Sequence, residues 1–193
     1  MIKRTSNGVY YRIFSKIYEQ NAKKMCLDCQ DFIKKGSKIL DLGCGSGIVA
    51  KNFQNFFQAE IIGVDIKDNR IFKIPFQIID GKNLPFSENS FDVVLISYVL
   101  HHSRDPISLI KEAKRISRDK IIIYEDLPKG FMSKLICKIH GFAFDKFFQN
   151  PTSTSFKLEE EWERIFNNTG LNVILKERVK SFPVNKELFI LGM

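Results

Sequence analysis

The chain of 193 residues has no long hydrophobic run. Its longest apolar-rich stretch covers residues 93–100, whereas a helix needs about 20 apolar residues to span a bilayer. The first seven residues also lack the apolar segment that marks a secretory signal. These two features predict a cytoplasmic protein without a membrane-spanning segment.

Cysteine is scarce, with only four residues in the chain. So few cysteines in a chain of this size do not predict a disulfide framework. Cys26 and Cys29 have the C-x-x-C spacing of some metal sites, but no second cysteine pair or histidine cluster completes a zinc site. We interpret the pair as two half-buried thiols on a helix, and we predict no metal site.

Acidic residues are outnumbered, because 22 of them face 30 basic residues and leave a net charge of +8. The imbalance is largest in residues 1–38, which carry nine basic and three acidic side chains. Such a region could attract nucleic acid, an anionic membrane or an acidic small molecule. A solvent-exposed helix face in a lysine-rich protein explains the charge equally well. No known RNA-binding module accompanies it, so nucleic acid is not the favoured partner.

Short apolar runs alternate with helical stretches up to residue 123, and this order predicts a parallel sheet with helices on both faces. The length predicts a single domain over residues 1–193. We expect helices near residues 47–58, 67–72 and 105–117, and a fifth strand over 120–124. Towards the end of the chain we expect a helix with Leu158, Trp162, Ile165 and Phe166 on one face, followed by strands near 171–179 and 187–192.

Two segments outside this pattern are the candidates for substrate specificity. Residues 1–35 would form an N-terminal helical lid, with an apolar stripe of Val9, Ile13, Ile17 and Tyr18 that continues through Met25, Leu27 and Phe32. Residues 127–155 form an insertion in which apolar side chains recur at helical spacing, namely Phe131, Leu135, Ile139 and Phe142. We interpret the insertion as a lid that closes an apolar pocket or contacts a membrane surface; the alternative is packing on the sheet edge. Residues 36–126 would be the cofactor-binding half. Residues 156–193 would form the C-terminal helix and strand pair.

Residues 39–47 carry the strongest functional signal in the chain. A short apolar run around Asp41 predicts a buried strand, and Gly43, Gly45 and Gly47 follow it directly. Glycine tolerates positive φ and lets a ligand approach the backbone. The helical character that follows would place a helix N-terminus at this turn, which suits polar or anionic ligand groups. The G-x-G-x-G spacing differs from the G-x-G-x-x-G of dinucleotide-binding turns.

Acidic residues follow two further apolar runs. Asp65 ends the second run, where nucleotide-binding α/β folds hold the ribose hydroxyls through charged hydrogen bonds. Asp80 and Gly81 end the third run, and a fourth apolar run covers residues 93–96. The three acids in this order are more specific than any one of them.

Together these segments resemble the signature of class I S-adenosylmethionine-dependent methyltransferases, in particular the small-molecule group that includes ubiquinone and menaquinone biosynthesis enzymes. The matching segments are residues 41–47, 63–65, 80–81, 84–86, 91–94 and 99–102. The resemblance implies a Rossmann-like α/β three-layer sandwich, with a mostly parallel seven-stranded sheet and an antiparallel C-terminal edge strand. The turn at residues 117–120 departs from the family, which often has Lys-Pro-Gly-Gly there.

The resemblance also implies roles for individual residues toward S-adenosyl-L-methionine. The glycine loop, with Gly43, Cys44, Gly45 and Gly47, would line the methionine part. Asp41 would orient its amino group, and Asp65 would bind the ribose diol. Asp80 and Gly81 would contact adenine. The same cofactor-binding set includes the neighbouring residues Ile66, Lys82 and Ser97.

Methyl transfer needs alignment of the acceptor and exclusion of water more than it needs acid–base groups. For a hydroxyl or phenol acceptor a general base would help. His101 and His102 follow the fourth strand and are candidate bases, and Glu125, with Asp126, is the alternative. Residues 97–100 lack the motifs associated with methylation of adenine or cytosine in nucleic acids.

Three functions follow from these residues. The first is transfer of a methyl group to a small, lipophilic or aromatic acceptor. The second is methylation of RNA or protein that docks on the basic N-terminal face, and the third is cofactor binding without transfer. Contact with a membrane surface is compatible with the first, and the sequence does not define the oligomeric state.

Overall fold

The computed structural model describes residues 15–148, 155–180 and 184–193, with the side chains of 140 and 143–148 excepted. The predicted positions Val9 and Ile13 lie outside these ranges. The helices are α1 (Ser15–Asp28), α2 (Ile48–Phe57), α3 (Pro106–Ile116), α4 (Phe131–Phe148) and α5 (Glu159–Asn168), with a 3₁₀ turn at Leu100–His102. The strands are β1 (Lys38–Leu42), β2 (Glu60–Asp65), β3 (Phe76–Ile78), β4 (Phe91–Ser97), β5 (Ser117–Asp126), β6 (Asn172–Val179) and β7 (Lys186–Gly192).

The seven strands form one sheet in the order β3-β2-β1-β4-β5-β7-β6. The strands β1 to β5 pair in parallel, and β7 runs antiparallel to both β5 and β6. This arrangement confirms the predicted fold class. The antiparallel C-terminal strand lies one place in from the edge, because β6 pairs with its outer side.

Alternate residues of the central strands contribute side chains to two apolar layers, one on each face of the sheet. In β5, Ile122 and Tyr124 lie in the layer that α1 and α2 cover, while Ile121 and Ile123 lie in the layer that α3 and α5 cover. All four side chains are fully buried. Burial of one such aliphatic side chain stabilises the folded state by roughly 1.5–3 kcal/mol, so the three-layer packing follows directly from these uninterrupted apolar runs.

The expected helix at residues 67–72 is absent, and that prediction was wrong. The N–H groups of Ile71 and Phe72 donate to the carbonyl of Ser46, at 2.9 and 3.4 Å, instead of to a preceding helical turn. The segment is therefore a loop attached to the glycine turn. This attachment brings residues 70–74 against the same end of the sheet.

The buried face of α1 matches the expected one only in part, at Met25. Ala22, Met25 and Cys26 point into the core, whereas Ile17 and Leu27 are exposed. The spacing of three and four residues continues to Cys29 beyond the helix end, so the small and sulfur-containing side chains define the stripe. Cys26 and Cys29 are fully buried rather than half-buried.

Helix α4 carries its predicted apolar stripe on the outside. Phe131, Leu135, Ile139 and Phe142 are all exposed, so packing on the sheet edge does not account for them. Buried positions on α4 include Cys137 and Gly141. Within the described ranges, no helix combines the length and apolar character that a bilayer crossing requires.

Candidate active site

The glycine loop connects β1 to α2 and packs closely against its neighbours. Gly43, Gly45 and Gly47 have φ values of 79°, 49° and 75°, which favour glycine. The N–H groups of Gly43 and Cys44 donate to the carbonyl of Val64 at 2.8 and 3.0 Å. A Cβ atom on Gly43 would lie 2.4 Å from Val99 Cγ2, so the loop leaves no room there for a side chain.

Asp65 lies at the carboxyl end of β2 and is held by the glycine loop. Its Oδ2 accepts a hydrogen bond from the N–H of Gly45 at 2.8 Å, and its Oδ1 accepts one from the N–H of Ile66 at 2.7 Å. Burial raises the pKa of the Asp65 carboxyl, and these backbone N–H donors oppose the rise. Oδ1 also accepts the N–H of Lys67 at 3.4 Å, whereas Oδ2 has a single donor and retains a lone pair for a ligand hydroxyl.

Asp41 is the most unusual charged group in the site. It is 1% exposed, and among the described residues neither carboxylate oxygen has a hydrogen-bond partner. Burial raises its pKa to about 7, and the nearby Asp65 carboxylate contributes to the rise; the N–H of Ala50 opposes it without completing a hydrogen bond to either oxygen. Buried polar groups normally have partners. An incoming cationic donor such as an ammonium group would supply what this carboxylate lacks.

The candidate adenine residues lie together beyond β2 and β3. The Cβ position of Gly81 lies 3.4 Å from Ile66 Cγ2, and Gly81 has a positive φ of 77°. Asp80 is exposed, and its Oδ1 accepts hydrogen bonds from the N–H groups of Lys82 and Asn83 at 2.8 and 3.2 Å. These donors lower the pKa of the Asp80 carboxyl. Asp80 therefore shapes its own turn and stays ionised at neutral pH.

The end of β4 contributes a second group of polar side chains. Ser97 Oγ is buried and lacks a hydrogen-bond partner among the described residues. Tyr98 has a φ of 60°, a conformation that non-glycine residues adopt at a cost and that often marks functional sites. Its ring lies 4.5 Å from Lys186 Nζ. Tyr98 and Lys186 border a cavity of about 30 Å³ that Asp28 and Tyr124 also line.

His101 and Glu125 form a buried pair, so two residues proposed as alternative bases act as one unit. His101 Nδ1 hydrogen-bonds Glu125 Oε2, and both side chains are 2% exposed. Glu125 Oε1 accepts the N–H of Leu100 at 2.9 Å. The carboxylate thus fixes the orientation of the imidazole. The His102 ring lies 4.2 Å from that of His101.

The end of the insertion covers this pair. The Phe156 ring stacks on His101 with 4.7 Å between ring centroids, and the N–H of Ser155 donates to the His101 carbonyl at 2.8 Å. Sequence reasoning missed Phe156, Tyr98 and Lys186 as neighbours of the site. Only Tyr98 carried a local signal, because it directly follows a strand.

A second depression lies at the opposite end of the sheet. It has a volume of about 510 Å³, and its lining comprises Glu88, Asn89, Lys111, Lys114, Arg115, Ser117, Arg118 and Met193. Lys114 Nζ donates to the Thr169 carbonyl at 2.9 Å, and Arg118 pairs with Asp92 at 2.9 Å. These cations already have partners, and none of the expected site residues lies there.

In the described ranges, no cluster of three or more histidine, cysteine or acidic residues could hold a metal ion.

Residues 40–123 match the family model described as a methyltransferase domain. The match covers the end of β1, the glycine loop, Asp65, Asp80 and His101 in one segment. Residues 40–123 are a methyltransferase domain, and the findings together support the class I S-adenosylmethionine-dependent type. The seven-stranded topology around this domain is the fold expected of that class.

Known relatives of this methyltransferase support the assignment. An uncharacterized methyltransferase of Schizosaccharomyces pombe is 28% identical over 142 residues, which are 61% of this chain and 51% of that protein. A demethylmenaquinone methyltransferase of Staphylococcus saprophyticus is 26% identical over 178 residues, covering 78% of this chain and 75% of that protein. The chain therefore spans about half of the first relative and three quarters of the second.

The fold of the methyltransferase also matches a solved structure. The magnesium protoporphyrin IX methyltransferase of Synechocystis, solved with bound S-adenosylhomocysteine, superposes with a TM-score of 0.67 at 17% identity. The superposition covers 91% of this chain and 83% of that protein. At this identity the match concerns the fold.

Proposed function

We propose that this methyltransferase domain transfers the methyl group of S-adenosylmethionine to a small acceptor that is lipophilic or aromatic. The observation that carries the cofactor assignment is the buried Asp41 carboxylate, which has no partner of its own and lies behind a glycine loop. A carboxylate in this environment is costly to ionise without a cation. The ammonium group of the methionine moiety has the required charge and donors.

The remaining cofactor groups fit the other residues of the site. Asp65 would bind the ribose hydroxyls, because backbone N–H groups orient its carboxylate and Oδ2 can accept a further bond. The glycine loop, with Cys44, would lie along the methionine portion, because it connects the end of β1, which carries Asp41, to the start of α2. Ile66, Asp80 and Gly81 would border adenine, with Lys82 and Ser97 at the margins.

The sulfonium of the bound cofactor supplies an activated methyl group, so the protein mainly has to orient the acceptor and exclude water. Glu125 hydrogen-bonds Nδ1 of His101 and so orients the imidazole, which would receive the proton of a hydroxyl or phenol acceptor. Phe156 stacks on the imidazole and limits access of water. A positioned base of this kind contributes about 10²–10⁴-fold.

Two observations support a lipophilic acceptor. The candidate base lies under an aromatic side chain, Phe156. In addition, the demethylmenaquinone methyltransferase is similar over most of this chain. We therefore favour a quinol or phenol ring with apolar substituents.

The experiment that tests this proposal incubates the protein with S-adenosylmethionine and a panel of naphthoquinols, catechols and simple phenols, with product masses as the readout. We expect a mass gain of one methylene unit on at least one ring acceptor, and loss of this product in Asp65→Ala. Methyl label that enters RNA or protein and no ring acceptor would contradict the proposed acceptor class.

A further inference from the structure

The outer side of α4 presents a continuous apolar surface. Its five members, which we call the α4 face, are 41–80% exposed: Phe131, Met132, Leu135, Ile139 and Phe142. We propose that the α4 face docks this protein on the surface of an anionic phospholipid bilayer. This binding goes beyond the methyl transfer proposed above and does not depend on it.

The helical positions place these side chains together. At roughly 100° per residue, the five apolar side chains fall within an arc of about 100° on one side of the helix. Cys137 and Gly141 are buried and lie on another side, so the helix is anchored through them with its apolar arc outward. Contiguous exposed apolar surface of this kind marks an interaction site.

The charged residues around the α4 face indicate which partner binds there. Lys134 and Lys138 are exposed and lie along one margin of the apolar arc. Lys129, just before the helix, is also exposed but pairs with Glu159 at 3.6 Å. The sequence has no acidic residue between Asp126 and Asp145. An apolar helix face bordered by lysines fits a bilayer with anionic headgroups, where phenylalanines enter the acyl boundary and lysines contact phosphates. A second copy of the chain would present the same basic margin and offers no such complementarity.

The position of α4 links docking to the active site. The helix follows β5, whose carboxyl end carries Glu125, and the chain returns after it to place Phe156 on His101. The glycine loop is at this same end of the parallel strands. Docking by the α4 face would therefore keep the acceptor end of the sheet next to the bilayer, within reach of lipophilic molecules dissolved in it.

Vesicle flotation tests the proposal directly. The probes are vesicles of phosphatidylcholine alone and vesicles that also contain phosphatidylglycerol, without cofactor. We expect wild-type protein to float with the anionic vesicles and Phe131→Ser/Phe142→Ser to lose about tenfold or more in partition. Lys134→Glu/Lys138→Glu should lose a similar factor, of about tenfold, on anionic vesicles.

Matched controls change exposed residues elsewhere. Phe56→Ser/Ile174→Ser removes two other exposed apolar side chains, and Lys35→Glu/Lys111→Glu reverses two other exposed lysines. Both controls should float like wild type.

Three results would overturn the proposal: equal binding to both vesicle types, no effect of the α4 substitutions, or absence of flotation. Sedimentation velocity that showed a dimer lost in Phe131→Ser/Phe142→Ser, without flotation, would assign the α4 face to a second copy. S-adenosylhomocysteine titration separates this outcome from failure of the proposed function, because the α4 variants should keep their cofactor affinity and Asp65→Ala should still float.

Discussion

At the scale of single residues, Asp41 connects the proposed cofactor site with stability. Its carboxyl is buried without a partner and has a pKa of about 7, above the ordinary value of 3.8. Between those two values the folded state holds a proton that the unfolded state has released. The free energy of unfolding therefore falls as pH rises from about 4 to 7, and the loss is complete above 7.

Substitution Asp41→Asn removes this titration. Between pH 5 and pH 8, we expect the free energy of unfolding of the wild-type protein to fall by a few kcal/mol more than that of Asp41→Asn. This size follows because one pKa unit corresponds to about 1.4 kcal/mol. Urea denaturation of both proteins at the two pH values provides the measurement. Asp41→Asn should at the same time bind S-adenosylhomocysteine more weakly at pH 8. Parallel pH dependence of stability in the two proteins would contradict this account of Asp41.

Gly43 should not tolerate a side chain. Gly43→Ala places a Cβ 2.4 Å from Val99 Cγ2 at a φ of 79°, and overpacking of this kind costs about 1–3 kcal/mol. We expect Val99→Ala to recover part of that loss, because it removes the contacting methyl groups. Thermal unfolding of the two single variants and the double variant gives the coupling energy. If Val99→Ala destabilised the wild-type protein and the Gly43→Ala variant equally, contact with Val99 would not be the cause of the Gly43→Ala destabilisation.

Glu125 should act on His101 as a positioning residue. Glu125→Gln removes the carboxylate that holds Nδ1, so we expect kcat for a hydroxyl acceptor to fall at least about tenfold with cofactor affinity unchanged. The ¹⁵N shifts of His101 should report a changed tautomer population, while those of other histidines stay the same. Unchanged kcat and unchanged His101 shifts in a folded variant would remove this role.

The residues that sequence reasoning identified are those whose signals are local. Asp41, the glycines and Asp65 are recognisable because each stands next to its own strand end. The pairing of His101 with Glu125 and the contact of Lys186 with Tyr98 depend on the register of β4 with β5 and of β5 with β7. No short-range pattern contains that register, so these contacts needed the structure.

At the scale of secondary-structure elements, α3 has a defined start. Asp105 Oδ1 accepts the N–H of Ser108 at 2.9 Å, Oδ2 accepts the Ser108 hydroxyl at 2.7 Å, and Pro106 occupies the first turn. We expect Asp105→Ala to cost about 1 kcal/mol, or roughly 2–4 °C in Tm. Differential scanning calorimetry measures this, with Asp105→Asn as the control that keeps an accepting oxygen. Equal Tm values for the two variants would show that the cap contributes nothing.

The elements that the sequence predicted well are the buried strands and the helices with strong apolar faces. Strands β1, β2 and β4 lie where their apolar runs are, since burial on both faces requires such runs. The expected helix at 67–72 does not form, because the N–H groups of Ile71 and Phe72 donate to the Ser46 carbonyl. The face of α1 was predicted only in part, because Ala22, Cys26 and Cys29 join Met25 in the buried stripe while Ile17 and Leu27 are exposed.

At the scale of the whole molecule, parallel strand order gathers the functional residues. Strands β1, β2, β4 and β5 all end at one side of the sheet, and Asp41, Asp65, Ser97 and Glu125 lie at those ends. Ligands of open α/β sheets bind at the carboxyl ends of the strands. The larger depression at the other end lacks this arrangement.

The division of the chain into a lid, a cofactor-binding half and a C-terminal pair remains a prediction. The central segment contains the methyltransferase domain match, and α4 with Phe156 lies beside the candidate base. Movement of α4 on substrate binding would support the lid interpretation.

The central claim is that the ends of β1 and β2 bind S-adenosylmethionine, and calorimetric titration with S-adenosylhomocysteine tests it most directly. We predict binding of one molecule with a Kd on the order of micromolar, and a loss of at least about tenfold in Asp65→Ala. Asp68→Ala is the matched control, because Asp68 is a nearby acid that pairs with Arg70 and should leave affinity unchanged. Failure of the folded wild-type protein to bind, or equal affinity in Asp65→Ala, would contradict the claim.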